Sequence, residues 1–465
     1  MESPPVEGEH QKLSRRRVLI IALVILIVVL APIGVFANIV ADSRSPPFPV
    51  AWESSLPGSQ ALYSGPILQG SSVYSLRLLN YTNANIDECK YQAVSTSFLN
   101  GSRLWSDQIT TSGITCLDAY LLYYDHEVYF IGEDSVEQWQ LVVKAVDAST
   151  GAILSSSHEL QPGRASGPEG LFATSYNGTG YVVGVMGAEN VSVEALSLRS
   201  GGGVLWDRNV TIPGNTAWAT GEPVLYADAK GIALFVNDQS RVFESSFLAD
   251  GSPGYLGYLP GNGTVIDGAP VIGGVVYYLS GIHYPSNPMF NPYLSNPRVY
   301  GANLSDGSLV ANFSVAYGFS TSEPVEELSA AGNELIVTDS QVATAFDFRG
   351  NTLWSLSVQP SGGSCCVGPV GLADGLVFLQ GQSSQVYFLN SSIHGLTYDA
   401  SYMIVNASSG QVLWNSIYSA WINTPPWTPT YPDLLPSYLV SGVNNGQLLV
   451  EGRQSLYGVE ISRLI

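Results

Sequence analysis

Cysteine and histidine, the residues that most often carry metal, redox or nucleophilic chemistry, are few in this chain. Four cysteines occur, at Cys89, Cys116, Cys365 and Cys366. In an oxidising compartment they can form disulfides, and the adjacent last two can close a strained ring or bond elsewhere. The five histidines show no i, i+2 or i, i+4 pairing, the spacing that favours a zinc site.

Other catalytic motifs are missing from the sequence. It contains no P-loop, no GxSxG elbow, no dinucleotide-binding GxGxxG after a strand and no EF-hand loop. Acidic residues such as Asp87, Glu88, Glu133 and Asp134 could hold calcium, but solvated loops explain them more simply. A central pair of carboxylates could hydrolyse a glycan, yet no pair can be chosen. We therefore assign no catalytic residue, no metal ligand and no cofactor-binding residue.

The composition excludes one class of partner. The chain of 465 residues carries 18 Lys and Arg against 38 Asp and Glu, so its formal charge is −20 at pH 7. Binding to nucleic acid needs a basic surface that displaces counterions, so we expect no nucleic-acid partner. With 45% hydrophobic residues, a chain of this length can bury a large core without a metal or disulfide.

The N-terminal residues predict a membrane anchor. Residues 18–40 carry no charge, and about 20 apolar residues suffice to cross a bilayer core. Lys12 and Arg15–Arg17 precede this segment and should hold residues 1–17 in the cytoplasm. We expect a single-pass protein of the cell membrane with residues 43–465 outside. A cleaved signal peptide or a twin-arginine export signal in SRRRVL would give the same external location.

Ten Asn-X-Ser/Thr sequons fit an external location, because such sequons are glycosylation acceptors on exported chains. We expect a glycosylated surface. The predicted glycosylation sites are Asn80, Asn100, Asn177, Asn190, Asn209, Asn262, Asn303, Asn312, Asn390 and Asn406.

A short motif recurs along the chain and predicts the fold. It consists of a strand, a polar turn that ends near glycine, and a second strand that often ends in tryptophan. Gly, Asn and Asp gather in the turn because they tolerate a positive φ. The seven copies lie at Ser97–Trp105, Ala145–Leu154, Ala195–Trp206, Ser246–Leu256, Gly301–Val310, Ala345–Trp354 and Val405–Trp414.

Each copy follows a second hairpin of short apolar runs, and two hairpins make a four-stranded unit of about 50 residues, the size of a propeller blade. Seven such units are complete. The last unit, Leu435–Ser462, has three strands, and Pro49–Gly58 with Trp52 can supply the fourth. The sequence therefore predicts an all-β, eight-bladed β-propeller of four-stranded antiparallel blades over residues 43–465, closed by the N-terminal strand.

The repeats resemble the pyrroloquinoline-quinone-type (PQQ-like) repeat, whose core reads roughly Ala-x-Asp-x-x-Thr-Gly-x-x-x-Trp. Ala145–Leu154 matches its first half and Val405–Trp414 its second. The resemblance implies a PQQ-like β-propeller, a fold of both quinoprotein dehydrogenases and cofactor-free binding or assembly proteins. Quinoprotein alcohol dehydrogenases place a vicinal disulfide against the quinone, with calcium ligands and a catalytic Asp. Here Cys365 and Cys366 come late in the propeller, and no matching Glu, Asn and Asp set accompanies them.

The long connections all belong to one face of the predicted disc, the face of the strand 2–3 loops and blade-to-blade loops. They are Asn80–Gln92, His283–Tyr300, Asn390–Tyr402 and Ser419–Pro436. Cys89 and Cys116 fall on the same face, close enough in this layout to pair. Aromatic residues in these loops suit contacts with protein or carbohydrate, or else cover the end of the disc. The candidate binding residues are Tyr284, Phe290, Tyr293, Trp421, Trp427 and Tyr431.

These observations predict a membrane-anchored, glycosylated external propeller that acts as a non-catalytic binding or assembly scaffold. Its partner would be a protein or a glycan of the cell envelope, and no cofactor is expected. One alternative is a PQQ-dependent dehydrogenase with PQQ and calcium as cofactors. Another is a receptor that binds a solute or a glycan, and a third is a glycan-processing enzyme with an acidic pair near the central channel.

Overall fold

Short apolar runs separated by glycine-containing turns form antiparallel strands throughout the described chain. The computed structural model describes residues 50–463, except 57–59, 62–64, 82–86, 114–118, 135–139, 161–169, 187–189, 213–222, 239–240, 262, 265–269, 284–292, 316–324, 340–341, 359–366, 374, 390–391, 423–438, 445 and 452–454. Within these residues the strands form eight separate sheets. We number the sheets as blades 1 to 8, with blade 8 last in the chain.

The first four blades contain the following strands. Blade 1 has β2 (Gln60–Ala61), β3 (Ile67–Gln69), β4 (Ser72–Tyr81), β5 (Asp87–Ser97) and β6 (Arg103–Gly113). Blade 2 has β7 (Tyr120–Tyr124), β8 (Glu127–Asp134), β9 (Gln140–Asp147) and β10 (Ile153–Leu160). Blade 3 has β11 (Gly170–Tyr176), β12 (Thr179–Met186), β13 (Asn190–Ser197) and β14 (Gly203–Thr211). Blade 4 has β15 (Val224–Asp228), β16 (Gly231–Asp238), β17 (Arg241–Leu248) and β18 (Pro253–Tyr258).

The other four blades complete the ring. Blade 5 has β19 (Gly263–Thr264), β20 (Val271–Ile272), β21 (Val275–His283), β22 (Tyr293–Asn303) and β23 (Leu309–Ser314). Blade 6 has β24 (Val325–Ala331), β25 (Glu334–Asp339), β26 (Val342–Asp347) and β27 (Thr352–Ser357). Blade 7 has β28 (Val367–Ala373), β29 (Leu376–Leu389), β30 (Ser392–Asn406) and β31 (Val412–Ile422). Blade 8 has β1 (Val50–Ser55), β32 (Leu439–Asn444), β33 (Gln447–Glu451) and β34 (Ser455–Glu460). Two short 3-10 turns lie at Leu198–Ser200 and Ile461–Arg463.

The predicted fold and its closure are confirmed. Strand β1 pairs antiparallel with β34, so that Trp52 lies opposite Gly458 and the first strand completes the last blade. In blades 1 and 5, the first strand is broken into two short pieces that pair with the same neighbour. The structure is therefore an eight-bladed β-propeller of essentially four-stranded antiparallel blades.

The core of the protein lies between blades rather than within one of them. Among the described residues there are eight apolar clusters, and each combines buried side chains from two neighbouring sheets, including one that joins blade 8 to blade 1. In the closing cluster, Trp52 and Leu456 of blade 8 pack with Val73 and Phe98 of blade 1. Each blade is therefore packed on both faces, which explains why consecutive residues of a middle strand are buried, as Val191 to Leu196 are in β13.

A tryptophan in the last strand of several blades fastens that blade to the next one; we call this contact the tryptophan latch. The indole N–H of Trp105 donates to the carbonyl oxygen of Ala148 at 2.7 Å, and that of Trp354 donates to Ala407 at 2.5 Å. Each indole covers the turn glycine of the next blade, where a Cβ on Gly151 or Gly410 would lie 3.0 Å or less from the ring. Trp52 and Trp206 make the same bond, to Phe98 and Ala249 respectively.

Blade 2 has Ser155 where several other repeats have tryptophan, and a different residue makes the latch hydrogen bond. The hydroxyl of Tyr129, on the second strand of blade 2, donates to the carbonyl oxygen of Leu198 in blade 3. The repeat therefore conserves the acceptor carbonyl while the donor changes.

The predicted membrane anchor at residues 18–40 and the tail 1–17 lie outside the described residues. Among the residues that the structure describes, no helix is long and apolar enough to cross a membrane. The anchor and the external location stay predictions.

Candidate functional site

The two faces of the disc differ in what the strands build on them. The turns between strands 1 and 2 and between strands 3 and 4 are short and share one face, which we call the turn face. They are closed by side-chain caps: Asp147 accepts hydrogen bonds from the hydroxyls and backbone N–H groups of Ser149 and Thr150. These bonds, first from Ser149 and then from Thr150, lower the pKa of Asp147 to about 2. The turn face is thus built from tight, locally satisfied loops.

On the opposite face, the hairpin of blade 7 extends well beyond the disc. Strands β29 and β30 have 14 and 15 residues, whereas β8, β12 and β16, at the equivalent position, have eight each. The six extra residues of β29 (14 − 8) correspond to about 20 Å of strand. Strand β31 accompanies β30 as far as the pair Leu396–Ile422. We call residues 382–389, 392–400 and 417–422 the blade 7 extension.

Parts of the loops predicted from the sequence are strands in the structure, so that prediction is wrong for these residues. Residues 392–402 and 419–422, predicted as connections, continue the strand ladder, and so do residues 80–81 and 87–92 in blade 1. Strand β30 pairs with β29 on one side and, from Leu396 onwards, with β31 on the other, so backbone groups that a free loop would leave to water are hydrogen-bonded between strands. Cys89, expected in a loop, therefore lies in β5 opposite Tyr81 and Thr111.

The candidate binding residues are only partly covered by the described chain. Trp421 lies in β31 of the extension, with its backbone paired to Thr397. Tyr293 begins β22, opposite His283, in a second lengthened hairpin on blade 5. The remaining four candidates, Tyr284, Phe290, Trp427 and Tyr431, lie outside the described residues.

The cysteines give a similarly partial answer. Cys89 is fully buried and belongs to a disulfide. Cys116, Cys365 and Cys366 lie outside the described residues. The pairing of Cys89 with Cys116 therefore stays a prediction.

The described sequons fall into two groups by how exposed their asparagine side chains are. The side chains of Asn303 and Asn406 are half-buried and cap turns, as that of Asp147 does in blade 2: their amide oxygens accept the Ser305 and Ser408 hydroxyls, each at 2.9 Å. The exposed sequon asparagines are Asn100, Asn177, Asn190, Asn209 and Asn312. Asn80 lies in β4, and Asn262 and Asn390 lie outside the described residues.

A buried ion pair joins the first complete blade to the last one. A guanidinium nitrogen of Arg77 in β4 lies 2.6 Å from a carboxylate oxygen of Glu451 in β33, and the two side chains are 2% and 12% exposed. Burial lowers the pKa of Arg77 and raises that of Glu451, and the attraction between the two charges opposes both shifts. Sequence reasoning missed this pair, although a lone arginine within the apolar run VYSLRLLN signals a buried charge.

A buried carboxyl group lies between blades 4 and 5. Glu244 in β17 is fully buried, and among the described residues neither of its oxygens has a hydrogen-bond partner. Tyr255 and Tyr278 are close enough to interact with it electrostatically. Burial alone raises the pKa of Glu244 to about 8, so the group holds its proton at neutral pH.

This raised pKa gives the stability a signed pH dependence. An unfolded glutamate titrates near pH 4.3, so the folded chain binds more protons between that pH and about 8. The stabilisation is complete below the unfolded pKa and is lost as pH rises through about 8. Glu244→Gln should flatten this decline, which amounts to at most about 1.4 kcal/mol per pH unit. Urea unfolding at several pH values measures it.

The matched control for this prediction is Asp207→Asn, which neutralises an exposed carboxylate in β14. That variant should follow the wild-type pH profile. Equal slopes for wild type and Glu244→Gln would contradict the assignment of the pH dependence to Glu244.

Comparisons with known proteins concern the fold. No protein-family model and no curated protein matches the chain. A quinohemoprotein alcohol dehydrogenase from Comamonas testosteroni is 11% identical, with a TM-score of 0.47, over 88% of this chain and 76% of that one. The WD40 domain of SCAP from fission yeast is 8% identical, with a TM-score of 0.43, over 84% and 99%. A dihydro-heme d1 dehydrogenase, NirN, is 11% identical, with a TM-score of 0.45, over 82% and 76%. Similarities this weak carry no conclusion about activity.

Proposed function

We propose that the protein is an external binding or assembly scaffold, anchored to the cell membrane by residues 18–40 and glycosylated at its exposed sequons. Its contact region is the face of the blade 7 extension, and its partner is a protein or a glycan of the cell envelope. The observation that carries the proposal is the extension itself. The second strands of blades 2, 3 and 4 have eight residues, whereas that of blade 7 has 14 and continues with its two neighbouring strands for about 20 Å beyond that length.

The sequence of the extension fits contact with a partner. By register, Val386, Leu396 and Ile422 share one cross-strand row, and Gln385, Thr397 and Trp421 share the next. The ladder of the extension therefore contains an aliphatic row next to a row with tryptophan. A paired ladder also presents them without the ordering cost of a free loop.

The test shortens the extension and leaves the disc intact. Because Gln382 pairs with Ala400, residues 383–399 can be replaced by Asn-Gly, a two-residue hairpin turn. We expect the shortened protein to lose retention on isolated cell envelopes, with a melting temperature close to that of wild type. Trp421→Ala should weaken retention in the same direction. Protease treatment of the envelopes abolishes retention for a protein partner, and periodate treatment does so for a glycan.

The matched control is Leu104→Ala, which removes an exposed aliphatic side chain from β6 of blade 1. It should retain full binding. Unchanged retention of the shortened protein would overturn the proposal, because the extension would then contribute nothing to capture.

A quinone-dependent alcohol dehydrogenase is the second candidate. It rests on the PQQ-type repeat at Ala145–Leu154 and is the activity named for the Comamonas protein. Within the described residues, no three His, Cys, Asp or Glu side chains lie together as calcium ligands would, so we derive no catalytic step. Titration of the protein with PQQ and calcium, followed by fluorescence quenching, discriminates the two candidates. Saturable one-to-one binding that is lost when disulfides are reduced would favour the dehydrogenase and point to Cys365 and Cys366.

A further inference from the structure

An aromatic ring occupies the same register position in the second strand of most blades. In these blades, a residue that follows the third strand donates its backbone N–H to the turn before the second strand. The residue three positions earlier in the chain pairs with this register position, as Ser95 pairs with Tyr74 and Ala195 pairs with Tyr181. We call it the ring position. The aromatic residues at the ring position are Tyr74, Tyr129, Tyr181, Tyr277 and Phe378.

Blade 4 departs from this pattern. Ala233 stands at the ring position, opposite Ser246. In blades 1 and 3 the tyrosine at this position packs beside the latch tryptophan, with ring centroids 6.1 and 6.0 Å apart. Blade 4 lacks the tryptophan as well, because its last strand reads PGYLGY. Both rings of the usual pair are therefore replaced at the junction of blades 4 and 5.

The carbonyl oxygen that accepts the indole N–H in other blades also lacks a side-chain donor among the described residues of this junction. Leu304 is the counterpart of Ala148 and Ala249, since its N–H makes the same bond to the preceding turn. Tyr255 covers the turn glycine Gly307 as a latch tryptophan would. Its hydroxyl, however, donates to the carbonyl oxygen of Tyr258. Among the described residues, no side chain donates to the carbonyl oxygen of Leu304.

A cavity of about 140 Å³ lies where these groups are replaced. It opens at the turn face between blades 4 and 5. Its walls include Ala233, Phe247, Tyr255 and Leu304, and Asp228 and Lys230 also line it. An apolar cavity of about 150 Å³ in a protein core is large enough to bind benzene. The cavity therefore has about the size of one ring, its walls are mostly apolar, and Leu304, whose carbonyl oxygen lacks a side-chain donor among the described residues, is one of the residues that line it.

We propose that this cavity binds a single aromatic ring that carries an N–H or O–H donor, of the indole or phenol class. The ring would take the place that Tyr74 fills in blade 1, beside Tyr255, and its donor would reach the carbonyl oxygen of Leu304. Two sources share this chemistry, a free small aromatic molecule and the tryptophan or tyrosine side chain of a partner. The proposal is independent of the contact region on the opposite face.

The test uses the full-length protein and 5-fluoroindole, observed by fluorine NMR. We expect saturable binding at one site per chain, with a Kd on the order of 0.1–1 mM for a ligand of this size. Ala233→Phe places a ring in the cavity, as in blade 7, and should weaken binding at least tenfold. Ala233→Leu fills it partly and serves as the second variant if the phenylalanine prevents folding. Binding that does not saturate, or that equals wild type in both variants, would overturn the proposal.

A gain-of-site variant provides the positive control. Tyr129→Ala removes the ring at the equivalent position of blade 2 and also the hydroxyl that donates to the carbonyl oxygen of Leu198, and should raise the stoichiometry towards two. N-acetyl-tryptophanamide and p-cresol then distinguish the sources. Binding of the amide at least as tight as that of indole indicates a partner side chain, and binding of only indole and p-cresol indicates a free molecule. An unchanged stoichiometry in folded Tyr129→Ala would contradict the proposed recognition of a ring by an empty ring position and a carbonyl acceptor.

Discussion

Replacement of Arg77 by alanine should lower the free energy of unfolding by about 3–5 kcal/mol, because it leaves the Glu451 carboxylate buried without its counter-charge. The loss is expected to be large because the pair is buried at the junction of blades 8 and 1, where the ring closes. Urea unfolding at neutral pH measures it. The pH dependence should change as well, since the unpaired Glu451 would take up a proton more readily.

Two further variants separate charge from packing. Glu451→Gln removes the carboxylate charge that lies against the guanidinium of Arg77 and should cost a similar amount. The double variant Arg77→Met/Glu451→Leu replaces both charges by apolar side chains and should recover most of the loss, because a buried pair contributes little beyond a packed apolar pair. If the double variant is as unstable as the two single ones combined, the instability comes from shape and not from an unpaired charge.

Replacement of Trp354 by alanine should also destabilise the protein by about 3–5 kcal/mol. The indole is 7% exposed, packs over Gly410 and donates to Ala407, so its loss opens a cavity between blades 6 and 7 and removes a hydrogen bond. Trp354→Phe keeps much of the packing and should cost less, with about 1 kcal/mol attributable to the missing bond. Thermal and urea unfolding of both variants check the order.

Leu353→Ala is the control for this experiment. Its side chain neighbours the indole in sequence but is 43% exposed, so the change should stay within about 0.5 kcal/mol. A Trp354→Ala variant as stable as Leu353→Ala would mean that the latch contributes nothing to stability.

The sequence predicted those parts of the molecule that depend on local chemistry. Turn, glycine and tryptophan recur within about ten residues, so the motif at Ala145–Leu154 already contains the cap of Asp147 and the place of Gly151. Closure by the strand of Trp52 could be inferred because the last unit of the sequence has only three strands and the first strand of the repeat region belongs to no other unit. These inferences needed only the period of the repeat.

The features that sequence reasoning missed depend on distant register. Arg77 and Glu451 are 374 positions apart, and only the circular order of blades brings them together. The cavity at Ala233 becomes visible only when strand pairing aligns it with Tyr74 and Tyr181. Residues 392–402 and 419–422 of blade 7 are predicted as loop from the sequence, and only their pairing with a partner strand distinguishes a hairpin from a loop.

The pairing of β1 with β34 also has a consequence for the timing of biosynthesis. Ser55 and Ser455, which pair at one end of that ladder, are 455 − 55 = 400 positions apart in the chain. At about 5–20 residues per second, the ribosome needs roughly 20–80 s to make the intervening chain. Strand β1, with Trp52, is therefore the first strand of the propeller to be synthesised and the last to find its partner. Throughout that interval seven blades can assemble in chain order while the closing strand waits.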